Sequence, residues 1–232
     1  MIAEIGLFSL VLAFVLSLSQ SVAPIFASYS SFKESHIFTL RISLLGTIFI
    51  LLSFLCLILL FIVSDFSVAL VAEHSHTSKP MIYKISGTWG NHEGSLLMWI
   101  LILSIFSAGL ALTQKKMPLA QKSITLGVQG AITSAFLALC IFASNPFERL
   151  TNTPLNGNGL NPVLQDIGLA LHPPTLYTGY VGLSLAFSFA VAALITDSVD
   201  RSWARYMRVW VQIAWCALTL GIGLGSWWAY YE

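Results

Sequence analysis

The chain has 232 residues, of which 56% are hydrophobic and only 9% charged, with a formal net charge of +1. Soluble globular domains carry about 25% charged residues, so a soluble domain is excluded, and no basic patch for nucleic acid is visible. No period-two alternation supports a barrel, which leaves the helix as the backbone that satisfies its own polar groups in lipid.

The sequence predicts an all-α integral membrane protein, one polytopic domain over residues 1–232. Its six transmembrane helices are placed at about 5–25, 40–63, 94–113, 122–143, 174–196 and 207–229, each long enough for the ~20 residues that cross the hydrocarbon. The opening Met1-Ile2-Ala3-Glu4 lacks the basic start of a signal or transit peptide, so the first span is expected to be retained. That suits a bacterial inner-membrane protein or one encoded within an organelle. Loops after spans one, three and five carry Lys33, Arg41, Lys115, Lys116, Lys122, Arg201, Arg205 and Arg208, against Lys79, Lys84 and Arg149 on the other side. The positive-inside rule then puts both termini on the outer side, periplasmic or intermembrane-space.

Two outer loops of about 30 residues are long enough to imply a task. The first, from about Ser64 to Gly94, contains His74, His76 and the run Thr88-Trp89-Gly90-Asn91-His92-Glu93-Gly94-Ser95. Asn91 can cap span three, and Glu93 in the first turn suits the helix dipole. His74 and His76 lack a second pair of metal ligands and read as solvated loop residues.

The second outer loop, about Ser144 to Pro173, is loosened by Asn156-Gly157-Asn158-Gly159, which are turn formers. Asn161-Pro162 reads as N-cap and first position of a short helix. Val163, Ile167 and Leu171 give that helix one apolar face to lie along the membrane surface. Pro173-Pro174 is expected to stop it, because proline lacks a donor and disfavours helix in the residue before it. Span five would then begin. His172 sits at this corner, and two roles stand open for it on the residues alone: capping a helix end, or serving as an axial ligand to iron.

Span five carries Gly182, Ala186 and Ala190, and span six carries Ala217, Gly221, Gly225 and Ala229, at a spacing that lets helices approach closely. Span five against span six, or a helix from elsewhere against span six, both satisfy that pattern. Span six ends on Trp227, Trp228, Tyr230 and Tyr231, an aromatic belt of the kind found at membrane surfaces. Cys56, Cys140 and Cys216 fall inside spans with no paired spacing and read as packing residues.

The segments Trp89–Leu97, Ser144–Leu150, Asn161–Pro174 and Leu218–Glu232 together resemble the N-terminal part of the CcmF family, the haem lyase subunit of system I cytochrome c maturation. The resemblance runs along essentially the whole chain. It implies covalent attachment of haem to apocytochrome c on the outer face, with haem as the cofactor in transit and His172 as one of its two axial ligands. It also implies that Trp227, Trp228, Tyr230 and Tyr231 begin an aromatic haem platform, and that Trp89, His92 and Glu93 belong to a family motif of unstated role.

Family members continue beyond the equivalent of Glu232 and there supply the second external histidine and the ligands of a resident haem b. The expectation is therefore a split protein resembling the plant-mitochondrial form, located in the mitochondrial inner membrane, or in a bacterial inner membrane if not organellar. The implied partners are the remaining CcmF fragments, a CcmE-type haem chaperone, a thiol-reducing CcmH-type subunit, apocytochrome c and membrane lipid. The alternative is a structural or haem-transport subunit of the same pathway that does not ligate haem.

Overall fold

The computed structural model describes the backbone of residues 1–29, 33–161 and 164–231, and the side chains of these except 26–29, 33–35 and 231. Expectations placed on the Lys33 side chain, Pro162, Val163, the Tyr231 ring and Glu232 lie outside the described residues. Among the described residues the order is α1 (Ile2–Tyr29), α2 (Lys33–Val63), α3 (Ala69–His74), α4 (Met81–Gly87), α5 (His92–Leu112), α6 (Leu119–Phe142), α7 (Ile167–Gly182), α8 (Ser184–Ile195) and α9 (Arg201–Tyr231).

Six stretches of the described residues are long and apolar enough to cross a membrane: Ile2–Ile25, His36–Val63, His92–Leu112, Leu119–Phe142, Ile167–Ile195 and Arg201–Tyr230. Five match the expected spans to within a few residues at most ends. The fifth corrects the sequence reading. Among the described residues no separate surface helix ends at Pro173-Pro174. The helix is capped by Asp166, whose side chain accepts from the Gly168 N–H at 2.5 Å, and it runs through both prolines as the first turns of the spanning element.

α1 packs between α2 and α6, α5 fills the centre against α2 and α6, and α7 lies against α5 on one side and α9 on another. Phe61, Leu97, Ile100, Leu110, Leu126, Leu137 and Phe189 are fully buried at the centre. Lipid gives no hydrophobic reason for one apolar helix to prefer another, so polar rungs and close packing hold such bundles. Gln20 Nε2 donates to the Leu126 carbonyl at 2.6 Å, Thr47 Oγ1 to the Ser104 carbonyl at 3.0 Å, and Gln129 Nε2 to Ser184 Oγ at 2.8 Å. Lys122 is buried, and its ammonium donates to the Ala111 and Thr113 carbonyls at 2.9 and 2.6 Å. This places a cation on the C-terminal end of α5, where the helix dipole favours it.

The two long loops fold onto each other as a cap. The Ala69 N–H donates to the Glu148 carbonyl at 2.9 Å, and Leu150 N–H to the Ser67 carbonyl at 2.9 Å, around a bridge between Val68 and Arg149. Further along, Asn158 and Gly159 N–H groups donate to the Ala72 and Ser75 carbonyls at 2.8 and 3.0 Å. Arg149 ties this cap to the start of α1 through Glu4 at 2.6 Å and reaches Asp65 at 3.6 Å.

Candidate functional site

The site is built where α7 crosses α9 beneath the cap. The two helices run antiparallel and interlock one turn at a time, a small residue meeting a larger one at each step. A Cβ on Gly179 would lie 2.2 Å from the Leu218 nitrogen, and one on Gly221 would lie 2.6 Å from Leu176 Cα. Nearer the cap, a Cβ on Gly225 would lie 2.5 Å from His172 Cε1, and one on Gly168 would lie 2.5 Å from Trp228 Cγ. The stripe through Gly221 and Gly225 therefore receives α7. On α7, however, the matching glycines are Gly168 and Gly179, since Gly182 packs on Phe106 of α5.

His172 is half-buried in this seam, with Nδ1 2.8 Å from the Gly221 carbonyl oxygen. A carbonyl oxygen only accepts, so Nδ1 carries the hydrogen. The neutral ring then holds its lone pair on Nε2. That is the arrangement in which a second hydrogen bond fixes the tautomer and orientation of a metal-binding imidazole. Trp228 stands beside it, ring centroids 6.1 Å apart and planes inclined at 56°.

Among the described aromatic side chains at the end of α9, Trp228 is the one that turns inward, against Gly168 and His172. Trp227 is 50% exposed and Tyr230 is 90% exposed, as a helical step of about 100° per residue requires of near neighbours.

Trp89 reaches the same turn from the other side. Its indole Nε1 donates to the Leu169 carbonyl at 2.9 Å. In an uninterrupted helix that carbonyl would accept from residue 173, which is proline and has no N–H. Trp89 thus supplies the donor that Pro173 lacks, and α7 continues through the position where the sequence predicts a stop. Gly90 permits the approach, because a Cβ there would lie 3.3 Å from Leu169 Cδ2.

Asn91 caps α5 as expected: its Oδ1 accepts from the Gly94 N–H at 2.7 Å, while Nδ2 donates to the Gly87 carbonyl at 2.8 Å. Glu93 is half-buried in the first turn. His92 begins α5, exposed, on a cleft of about 290 Å³ between α5, α6 and α7 that is lined by Ser95, Trp99, Phe136 and Tyr177. His172 faces α9, so the structure does not bring His92 to it.

His74 Nδ1 lies 3.2 Å from the Leu70 carbonyl, and His76 Nδ1 lies 2.7 Å from Ser78 Oγ. Among the described residues no three His, Cys, Asp or Glu side chains gather as a metal site. Gly168, Gly221, Gly225 and the Leu169 carbonyl are the parts of the site that reading for chemistry passes over. Their signal is positional: Gly168 lies one turn before His172, and Leu169 lies four residues before Pro173.

The family model described as cytochrome C assembly protein matches residues 89–232. The chain is 51% identical over 232 residues to cytochrome c-type biogenesis protein ccl1 of Rhodobacter capsulatus, covering 100% of this chain and 36% of that protein. It is 43% identical to CcmF of Escherichia coli, with 100% and 36% covered. A solved structure of a cytochrome c heme lyase CcmF superposes with a TM-score of 0.84 at 27% identity, covering 99% of this chain and 36% of that one. The chain thus spans about a third of the length of these relatives. The matched segment contains Trp89, His92, His172 and the whole of α9, and the chain belongs to the cytochrome c assembly protein family.

Proposed function

We propose that this chain is part of a cytochrome c haem lyase and presents His172 Nε2 as one axial ligand to haem in transit. The observation that carries the reading is the hydrogen bond from His172 Nδ1 to the Gly221 carbonyl. It supports a lone pair on Nε2, and it comes from a helix face that only glycine leaves open. The donor set fits: neutral imidazole is a common ligand of haem iron, and Trp228 offers an aromatic wall beside it.

When bound, haem would supply the two vinyl groups to which thioether bonds are made. Each bond adds a cysteine S–H across a vinyl double bond, so atoms and electrons balance without an external oxidant. This chain's residues orient and hold, and none of those at the site serves as a nucleophile. The second axial ligand and the rest of the platform come from polypeptide outside these 232 residues, as the share of the relatives that it spans supports. A haem chaperone, a thiol-reducing subunit and apocytochrome c are the partners the reaction requires. The membrane is an inner membrane, with the cap on its outer side. The mitochondrial and split variants of this reading rest on the resemblance alone, since the relatives named above are bacterial.

The test is His172→Ala in the assembled complex. The expected result is loss of the haem absorption at this site and failure of cytochrome c maturation, with the complex still assembled. An unchanged haem spectrum together with normal maturation overturns the ligand assignment.

A further inference from the structure

We propose that Trp89 is the positioning residue for His172, acting through the Leu169 carbonyl, so that placement of the ligand depends on the folded cap. This rests on the reading of His172 given above. The turn of α7 that contains His172 is the least self-supported part of that helix. Pro173 and Pro174 remove two consecutive donors from its ladder, which frees the carbonyls of Leu169 and Ala170. Leu169 is buried, where a carbonyl without a partner is costly. The donor it receives is an indole N–H from 80 residues earlier in the chain.

Trp89 is itself held from both sides. The Thr88, Trp89 and Gly90 N–H groups donate to the carbonyls of Ile85, Ser86 and Gly87 at 3.1, 3.1 and 3.3 Å, which makes a continuous turn out of α4. Asn91 then fixes the same turn to the start of α5 through Gly87 and Gly94. The indole is therefore an arm of the cap rather than a loose side chain. It grips α7 three residues before His172, the stretch whose rotation would carry the imidazole away from the Gly221 carbonyl.

The experiment uses the assembled complex and the absorption and electron paramagnetic resonance spectra of its bound haem. Trp89→Phe keeps an aromatic ring, though a smaller one, and removes the N–H. Its expected effect is a loss of haem retention of about 10- to 100-fold, the range for removing groups that orient a metal ligand, with a shifted axial-ligand signature. Pro173→Ala added to that variant returns a backbone N–H to the Leu169 carbonyl and is expected to restore retention. In a His172→Ala background, Trp89→Phe is expected to add nothing.

Unchanged retention and spectrum in Trp89→Phe overturns the proposal, as does a double variant that stays defective. Equal losses with and without His172 also overturn it, since Trp89 would then act on the fold at large. If His172→Ala alone retains haem normally, the ligand reading itself has failed, and that result is distinct from the others.

Discussion

His172 Nδ1 donates to the Gly221 carbonyl across 2.8 Å, and its ring rests on Gly225, where a Cβ would come within 2.5 Å of Cε1 and 3.2 Å of Nε2. One glycine opens the acceptor and the other leaves room for the ring. Gly225→Ala therefore displaces the imidazole and not the helix, since alanine in a helix interior gains about 1 kcal/mol over glycine. The expected outcome is unaltered or raised thermal stability of the complex with haem retention lowered about 10- to 100-fold. Visible absorption and a melting curve on the same sample check it, and retention equal to the parent's refutes it.

Gly94 is required for a different reason. A Cβ there would lie 1.6 Å from the Thr88 carbonyl oxygen, a backbone atom that cannot step aside. Gly94→Ala is expected to force the turn carrying Trp89 off the start of α5, at a cost of about 1–3 kcal/mol or more. Asn91→Ala removes the cap on Gly94 and the bond to the Gly87 carbonyl without forcing a backbone clash, and is expected to cost about 0.5–2 kcal/mol. Thermal unfolding of the two variants side by side gives the order, with Gly94→Ala the lower.

The cap also buries charge. Lys79 and Lys84 are both buried, and among the described residues neither has a carboxylate within salt-bridge distance. Burial, with Lys84's charge second, lowers the Lys79 ammonium from 10.5 to about 8. Below that value Lys79 is protonated whether the cap is folded or open, and the folded cap bears the full penalty of burial. As pH rises from about 8 toward 10.5 the folded form sheds its proton first, so stability rises through that window. Thermal unfolding from pH 7 to pH 10 is expected to show this rise, and Lys79→Met to flatten it. A parent melting temperature that falls across the window sinks the assignment.

Much of this was legible in the sequence because the signals are local. Span lengths follow from apolar runs, and Asn91 three residues before Gly94 is a cap by its chemistry alone. The start of α7 was not legible, because the proline rule counts the donors lost at Pro173 and Pro174 and cannot see a replacement arriving from Trp89. The cap was not legible either. Its backbone pairing joins Ser67 and Ala69 to Glu148 and Leu150, and neither segment has a periodic pattern to announce a partner. The glycines of α9 stood halfway: their spacing showed that a helix packs there, while only the fold shows that it is α7.

The opposite face of α9 yields the last prediction. Gln212, Cys216, Thr219, Gly223 and Ser226 recur at alternating steps of four and three and are all exposed, on the side turned away from α7. A Cβ on Gly223 would meet nothing within 4 Å. A polar and small-residue seam of this period facing hydrocarbon is the reverse of what lipid favours, and it is what a second transmembrane helix packs against. Under the proposed function, the polypeptide that completes the haem site would supply that helix. Gly223→Leu is expected to leave the melting temperature of this chain alone unchanged, because it fills open space. In the complex, the same substitution is expected to lower co-purification of the remaining polypeptide about tenfold, a loss of about 1.4 kcal/mol of association. Recovery equal to the parent's would mean that this seam faces lipid and that the rest of the assembly docks elsewhere.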